Sequence, residues 1–219
     1  MKLLSVNVGL PKTITYQGKT ITTGIFKEPV HGRFMVRSLG LEGDGQADRT
    51  VHGGVDMAIY AYPVQHYPFW EGELRRSDFP HGQFGENLTV EGLAEETVRV
   101  GDSLRVGEAL VQVTQPRIPC YKLAMRMDQD LTFLRRFLAS GRVGFYCRVL
   151  EEGEIGAGDT IERVDRDDNS VTIAEFVQVH LSRGNDPDGL KRVLASRNLS
   201  EAWRKHLQSI LDKADSQHR

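Results

Sequence analysis

The chain has 219 residues, a formal net charge of −2 and an apolar fraction of 39%. A chain of this length and composition can bury its own core, which excludes wholesale disorder and predicts one medium domain with a small appendage at most. The near-neutral charge gives no bulk electrostatic reason to bind a nucleic acid polymer or an anionic membrane.

The first predicted element is a strand at the N-terminus. MKLLSVNV alternates apolar and polar residues, and Asn7, Gly9 and Pro11 break the apolar run before it reaches the length of a signal peptide. No window approaches the roughly 18 apolar residues that a membrane span requires. We therefore expect a cytoplasmic protein without a membrane anchor, in which both cysteines remain thiols.

Strand signals continue to about Val164. In the segment 97–115, TVRVGDSLRVGEALVQVTQ, short apolar stretches are separated by Gly-Asp and Gly-Glu turns at 101–102 and 107–108. A similar Gly-Asp turn at 158–159 precedes another strand-like stretch. Short strands with frequent glycine turns favour an antiparallel barrel or sandwich over a doubly wound parallel sheet.

Two helices are predicted within this β region. Residues 63–74 can form a short helix, although two of its positions, Pro68 and Gly72, weaken the signal. Residues 128–139 show a stronger pattern, which Gly141 ends. Its apolar stripe consists of Leu131, Leu134, Phe137 and Leu138.

Three helix starts follow near the C-terminus. Thr172 and Glu175 match a capping box, Asp186-Pro187 is a typical cap and first helical residue, and Ser200 can cap a third helix.

The change of character divides the chain into two predicted domains. A β-barrel domain spans residues 1–166, and a three-helix C-terminal domain spans 170–215, with a charged linker between them. We expect the helices to serve as a docking or dimerisation element, and a homodimer is the favoured assembly.

The segment 115–123, QPRIPCYKL, concentrates the most chemistry. Its two prolines end a strand and stiffen a loop. The loop places Cys120 between Arg117 and Lys122, and a helix that begins just after it would add positive potential, so the thiolate is favoured as nucleophile or metal ligand. The alternative is a buried, inert thiol, which Cys147 in an apolar strand fits well.

Two glycine-rich segments are further candidates. In the segment 39–54, glycines can turn backbone amides outward as an anion nest, and Arg49 and His52 can pair with a phosphate or a heterocycle. A solvated loop with Asp–Arg pairs explains the composition equally well. In the segment 82–90, Asn87 can hydrogen-bond a heterocycle edge or cap its own turn.

Several common catalytic signatures do not occur in the sequence. Gly18-Lys19-Thr20 resembles the end of a P-loop, but Thr13 stands where the first glycine of that motif belongs, so a P-loop is excluded. The seven histidines do not have the spacing of a zinc site. A thiol hydrolase that pairs Cys120 with His52 remains an alternative.

Taken together, these segments resemble the MOSC domain, which is shared with molybdenum-cofactor sulfurase C-termini and amidoxime-reducing proteins. Within that family the chain resembles the bacterial YiiM-like group, in which one MOSC domain precedes a three-helix tail. The resemblance covers nearly the whole chain and implies a mainly β, barrel-like fold with a cofactor cavity. The residues that carry it are Gly43-Asp44, His52-Gly53-Gly54, Phe84 to Leu88, Gly101-Asp102, Gln115-Pro116-Arg117 and Pro119-Cys120.

The resemblance also implies the roles of individual residues. Cys120 would coordinate the metal of a molybdenum cofactor (molybdopterin), and soft thiolate ligation suits that metal. Asp44 or His52 would supply protons as a catalytic residue. The implied cofactor contacts are Asp44, His52, Asn87, Thr114, Arg117 and Lys122.

The implied activity is a molybdenum-dependent reduction of N-hydroxylated compounds such as hydroxylaminopurine, which would detoxify base analogues. A separate flavin or iron–sulfur protein would donate electrons, because two cysteines cannot hold a cluster. No pyridoxal-phosphate domain precedes the module, so a complete cofactor sulfurase is not expected. The alternative within the same family is a non-catalytic carrier of molybdenum cofactor or of a persulfide on Cys120.

Overall fold

The computed structural model describes residues 1–47 and 53–217, with the backbone alone at 214–217. Strands dominate as far as residue 165 and helices follow, so the predicted class, mainly β with helices, is confirmed. The strands are β1 (Lys2–Val8), β2 (Lys12–Tyr16), β3 (Lys19–Thr23), β4 (Glu28–Val30), β5 (Arg33–Arg37), β6 (Gly40–Leu41), β7 (Ile59–Pro63), β8 (Leu88–Glu91), β9 (Ser103–Val106), β10 (Ala109–Pro116), β11 (Phe145–Glu151), β12 (Gly153–Gly156) and β13 (Ile161–Asp165). The helices are α1 (Tyr67–Leu74), α2 (Tyr121–Arg126), α3 (Thr132–Ala139), α4 (Ile173–Leu181), α5 (Pro187–Ala195) and α6 (Glu201–Gln217), with 3-10 turns at Val55–Met57 and Val64–His66.

Eight of these strands form the main sheet. Their order is β13-β9-β10-β11-β7-β8-β1-β4, and every pair is antiparallel except β7 with β8. Strand pairing in the described residues does not close into a ring, so the predicted barrel is an open, curled sheet. It curls far enough for Ile161 N to donate to Met1 O at 2.9 Å and for Gly158 N to donate to Leu3 O at 2.8 Å.

Two smaller sheets extend this structure. Strands β12, β5 and β6 form a three-stranded sheet, and β2 and β3 form a hairpin. The hairpin leads into residues 23–27, and β6 leads into residues 42–47. These two segments lie beside the end of β10 and supply much of the candidate site.

An aromatic cluster joins α1 and α3 to the main sheet. Trp70 stacks on Phe137 with ring centres 5.2 Å apart, and its Nε1 donates to the Tyr62 hydroxyl at 2.9 Å. Phe84 stacks on Tyr62 at 4.3 Å from the opposite side of the cluster. Burial of each such ring contributes about 1.5–3 kcal/mol, which fixes the frame that carries the loop after β10.

The predicted helix over 128–139 is partly wrong. The structure has α2 before it, a turn at Asp128 with φ +55°, and α3 only from Thr132. Leu131, predicted in the apolar stripe, is 58% exposed, whereas Phe133 is fully buried. The aromatic cluster decides this face, because it binds Phe133 together with the predicted Phe137 and leaves Leu131 outside.

The predicted C-terminal caps are confirmed. Thr172 Oγ1 accepts from Glu175 N at 3.1 Å while Glu175 Oε2 accepts from Thr172 N at 2.7 Å, which is a complete capping box. Asp186 Oδ1 accepts from Gly189 N at 2.8 Å, and Ser200 Oγ accepts from Trp203 N at 3.4 Å. Each cap satisfies helix amides that would otherwise lack a partner.

The three C-terminal helices are tied directly to the β region. Val100 N donates to Val171 O at 3.1 Å and Ile173 N donates to Val98 O at 2.8 Å, so the chain enters α4 through backbone pairing.

None of the helices described in the structure combines the length and the apolarity that crossing a lipid bilayer demands.

Candidate functional site

A pocket opens at the end of β10 and encloses about 680 Å³, part of it open to solvent. Its walls come from the segments after β3 and β6, the start of β7 with the turn before it, the segment before β8, Tyr146 of β11, and the loop that leads from β10 into α2. Five of the predicted site residues line it. These are Asp44, Asn87, Arg117, Cys120 and Lys122.

Cys120 lies at the junction between the proline-stiffened loop and α2. Strand β10 ends at Pro116, and Cys120 has extended backbone angles at the N-cap position of α2, where its carbonyl accepts from Leu123 N at 2.9 Å. The rigid loop was predicted, whereas a helix directly after Cys120 was considered only as a condition that would favour the thiolate. Cys120 is partly exposed, whereas Cys147 is 1% exposed and burial raises the pKa of its thiol, which fits the inert alternative for Cys147.

Arg117 is a buried cation in the wall of this pocket. The residue is 5% exposed, its Nη1 has no hydrogen-bond partner, and no carboxylate of the described residues forms an ion pair with it. Its guanidinium lies over the rings of Tyr60 and Phe137, with distances of 5.4 and 5.8 Å from Cζ to the ring centres. These contacts hold the side chain in place but leave its positive charge without a protein anion. A buried donor without a partner is costly, so the arrangement favours a bound anion.

Asp44 and Asn87 form a polar network that also lines the pocket. Asp44 Oδ1 accepts from Gly9 N at 2.9 Å and from Lys27 Nζ, and its Oδ2 accepts from Asn87 Nδ2 at 2.9 Å. Asn87 Oδ1 in turn accepts from Tyr60 N at 3.1 Å. Both predicted residues therefore line the pocket with side chains that already hold its wall together.

Lys27 was not singled out in the sequence, although it lines the pocket. The residue is 7% exposed, and burial lowers its pKa while contact with Asp44 acts in the opposite direction. A single lysine in a strand-like stretch carries no distinctive spacing. Only the fold brings it to Asp44, which is 17 residues further along the chain.

Tyr146 is the second unpredicted residue of the pocket. Its ring lies 5.1 Å from that of Tyr60, and burial raises its pKa, with the nearby Arg117 charge acting to lower it. It lies on β11, which pairs with the end of β10 through the Gln115–Tyr146 register. The sequence stretch GFYCRVL indicated only an apolar strand.

The glycine-rich segment is described only in part. Gln46 Nε2 donates to Leu39 O at 3.0 Å and its Oε1 accepts from Gly54 N at 2.9 Å, so this side chain spans the segment. Residues 48–52, which include the predicted contacts Arg49 and His52, lie outside the described residues. The proposed Cys120–His52 pair therefore stays a prediction.

Thr114, a predicted cofactor contact, does not line the pocket. It is fully buried on β10, and its hydroxyl lies within hydrogen-bond distance of the carbonyls of Asp56 and Tyr146, at 2.7 and 3.1 Å. The side chain thus joins β10 to the turn before β7 and to β11. Arg117, three residues further along the chain, lines the pocket because β10 has ended at Pro116.

The chemistry of the pocket is that of an anion site beside a thiol. Two cations, Arg117 and Lys122, flank Cys120, and a third, Lys27, is held by a carboxylate. In the described residues, no group of three or more His, Cys, Asp or Glu side chains is arranged to hold a metal ion. The thiol can supply one soft ligand, and the cations can bind phosphate or another oxyanion.

Comparison with known proteins gives a consistent set of matches. The MOSC domain family model matches residues 48–162. A Bacillus subtilis protein named YflK is 42% identical over 213 residues, which is 97% of this chain and 94% of that protein. A Gibberella moniliformis protein named Reductase is 35% identical over 167 residues, which is 75% of this chain and 29% of that protein. The crystal structure of YiiM from Geobacillus stearothermophilus superposes with a TM-score of 0.80 at 36% identity, covering 96% of this chain and 98% of that one.

Proposed function

The chain belongs to the MOSC domain family, and from this premise and the geometry of the pocket we propose that it binds a molybdenum cofactor and reduces N-hydroxylated compounds. The match to a relative named Reductase supports oxidoreductase chemistry in this part of the family. The observation that carries the proposal is the buried Arg117, whose Nη1 has no hydrogen-bond partner and whose side chain contacts Tyr146 but pairs with no carboxylate of the described residues, in the same pocket as the partly exposed Cys120.

The residues in the pocket suit a molybdopterin. Such a cofactor carries a phosphate and a polar heterocycle, so it requires cations and hydrogen-bonding groups. Arg117 Nη1 offers a buried donor without a protein partner, and Lys122 adds a second cation to the same pocket. Cys120 would be the metal ligand, because a thiolate is a soft donor.

The network of Lys27, Asp44 and Asn87 stabilises the pocket and contains a proton donor in this proposal. Lys27 Nζ contacts Asp44 Oδ1, while Asn87 fixes the second oxygen of the same carboxylate. We propose that the Lys27–Asp44 pair, which lines the pocket and is in direct contact, holds a labile proton at Lys27 Nζ. Burial lowers the pKa of this amine, and the contact with Asp44 acts in the opposite direction. Asp44 then acts through Lys27, and a role for His52 stays a prediction.

When bound, the cofactor supplies two-electron chemistry at the N–O bond. The overall conversion is R–NHOH + 2 e⁻ + 2 H⁺ → R–NH₂ + H₂O, in which the N–O bond breaks and the nitrogen is reduced. We propose that a separate flavin or iron–sulfur protein donates the electrons. The residues of the chain bind, orient and protonate, with Arg117 and Lys122 on the anion and Lys27 at the proton.

The test is the molybdenum content of protein made in a host that synthesises the cofactor. Cys120→Ala is expected to lose bound molybdenum, while the matched variant Cys147→Ala removes the buried thiol and should retain it. Molybdenum at the wild-type level in Cys120→Ala would refute the ligand assignment.

A second measurement separates a reductase from a carrier. Wild-type protein with bound molybdenum should convert 6-hydroxylaminopurine to adenine when a chemical or protein reductant is supplied. If molybdenum is bound but no N-hydroxylated compound reacts with any donor, the function is that of a cofactor carrier. A persulfide found on Cys120 by mass spectrometry, in place of bound molybdenum, would indicate a sulfur carrier.

A further inference from the structure

A second pocket meets the first at Cys120. It encloses about 930 Å³, and we call it the α6 groove because Ala202, Trp203 and His206 of α6 form one of its walls. Ile118 and Pro119 form the other wall. Cys120 lines both pockets, so a group held on its sulfur would be reached from the α6 groove as well as from the cationic pocket.

The two pockets differ in chemistry. The cationic pocket contains Lys27, Arg117 and Lys122, whereas no Lys, Arg, Asp or Glu of the described residues lines the α6 groove. Its walls present the rings of Trp203 and His206 together with aliphatic groups. An anion therefore favours the first pocket, and an uncharged ring favours the second.

Trp203 is fixed in position by its neighbours. Its ring makes edge contacts with Phe176 at 5.0 Å and with His180 at 5.2 Å, both from α4, and with His206 at 5.4 Å. The side chain is only partly buried, so part of it remains available to a ligand. Gln115 also lines the groove and carries an amide that can donate to and accept from the edge of a heterocycle.

We propose that the α6 groove is the substrate site and that it selects planar, uncharged N-hydroxylated heterocycles. The ring would stack on Trp203, with its N–OH group directed to the junction at Cys120. This assignment rests on the proposed function for the chemistry but not for the binding. It gives the C-terminal helices a specific role, which is to supply the surface that recognises the substrate ring.

Binding can be measured without the cofactor. The chain has two tryptophans, of which Trp70 is 1% exposed, so a ligand that stacks in the groove should quench mainly Trp203. We expect 6-hydroxylaminopurine to quench this fluorescence. N-cyclohexylhydroxylamine carries the same N–OH group on a ring that is not planar, and it should bind about tenfold more weakly, since stacking on an aromatic side chain contributes about that factor or more.

A blocking variant and a matched control complete the test. Ala202→Phe fills the groove from an exposed helix position, and Ala195→Phe makes the same change at an exposed alanine of α5 outside it. Ala202→Phe should raise the Kd and the KM for 6-hydroxylaminopurine about tenfold and leave molybdenum content unchanged. Ala195→Phe should alter none of these quantities.

The outcomes distinguish this inference from the proposed function. Equal Kd values for wild type and Ala202→Phe, or equal binding of the planar and non-planar ligands, would overturn the substrate groove even if the protein reduces N–OH compounds. Quenching that Ala202→Phe weakens, in a protein that reduces no such compound, would support the groove and refute the reductase.

Discussion

We expect the buried charge of Arg117 to destabilise the cofactor-free protein and to favour binding of an anionic cofactor. Replacing it by Met in cofactor-free protein removes a buried donor, Nη1, that has no partner, and such a group costs about 1–3 kcal/mol. The substitution also loses the attraction of the guanidinium to the rings of Tyr60 and Phe137, about 0.5–1 kcal/mol at the long distances of 5.4 and 5.8 Å. Met retains the apolar contact, so we expect Arg117→Met to stabilise the protein by about 1 kcal/mol.

Thermal unfolding of protein from a host that lacks the cofactor measures this effect. An increase of about 1 kcal/mol corresponds to a rise in Tm of about 2–4 °C for a chain of this size. The same variant from a competent host should contain less molybdenum than wild type. A higher Tm together with a lower molybdenum content is the result expected if the charge of Arg117 serves to bind a ligand.

The matched control is Arg148→Met. Arg148 pairs with Asp56 at 2.7 Å and also donates to Gln112 and to the Asn198 carbonyl, so its loss should destabilise the protein by about 1–2 kcal/mol. If Arg117→Met lowers Tm as Arg148→Met does, then Arg117 is satisfied within the fold and the anion-site argument is wrong.

Two further predictions concern the pocket walls and the thiols. Asp44→Asn leaves the ammonium of Lys27 buried without a counter-charge, and it places a second amide against the Nδ2 donor of Asn87. Denaturant unfolding should therefore show a loss of about 3 kcal/mol in the free energy of unfolding. Adding Lys27→Met should recover most of it, and a double variant as unstable as the single one would contradict the pair. Iodoacetamide should alkylate Cys120 in the native protein and Cys147 only after unfolding, because the second thiol is 1% exposed and burial raises its pKa. Mass spectrometry that finds both thiols modified at similar rates in native protein would show that the core is open at Cys147.

In this proposal the pocket binds the cofactor and the α6 groove binds the substrate. Cations near the end of β10 suit an anionic cofactor, and the apolar groove formed with α6 suits an uncharged ring. Cys120 lies where they meet. A site of this kind needs both the β region and the C-terminal helices, which explains why α4 is joined to the sheet by backbone pairing at Val98 and Val100.

Local signals in the sequence were sufficient for several features. The prolines at 116 and 119 determine that β10 ends and that a stiff loop leads to Cys120, because proline cannot donate to a ladder. The caps at Thr172, Asp186 and Ser200 depend on neighbours within three residues, so their pattern is readable from the chain alone. The segments that resemble the MOSC domain indicated the family for the same reason, since each is a short motif.

Contacts between distant segments were decided only by the tertiary structure. Lys27 contacts Asp44 in the lining of the pocket, and Trp203, far along the chain, lines the α6 groove together with the loop after β10. Thr114 shows the converse, since its hydroxyl contacts the carbonyls of Asp56 and Tyr146 although Arg117, only three residues away, lines the pocket. The curl of the sheet and the packing of the helices decide which side chains line a common cavity. Local periodicity in the sequence does not predict these long-range contacts.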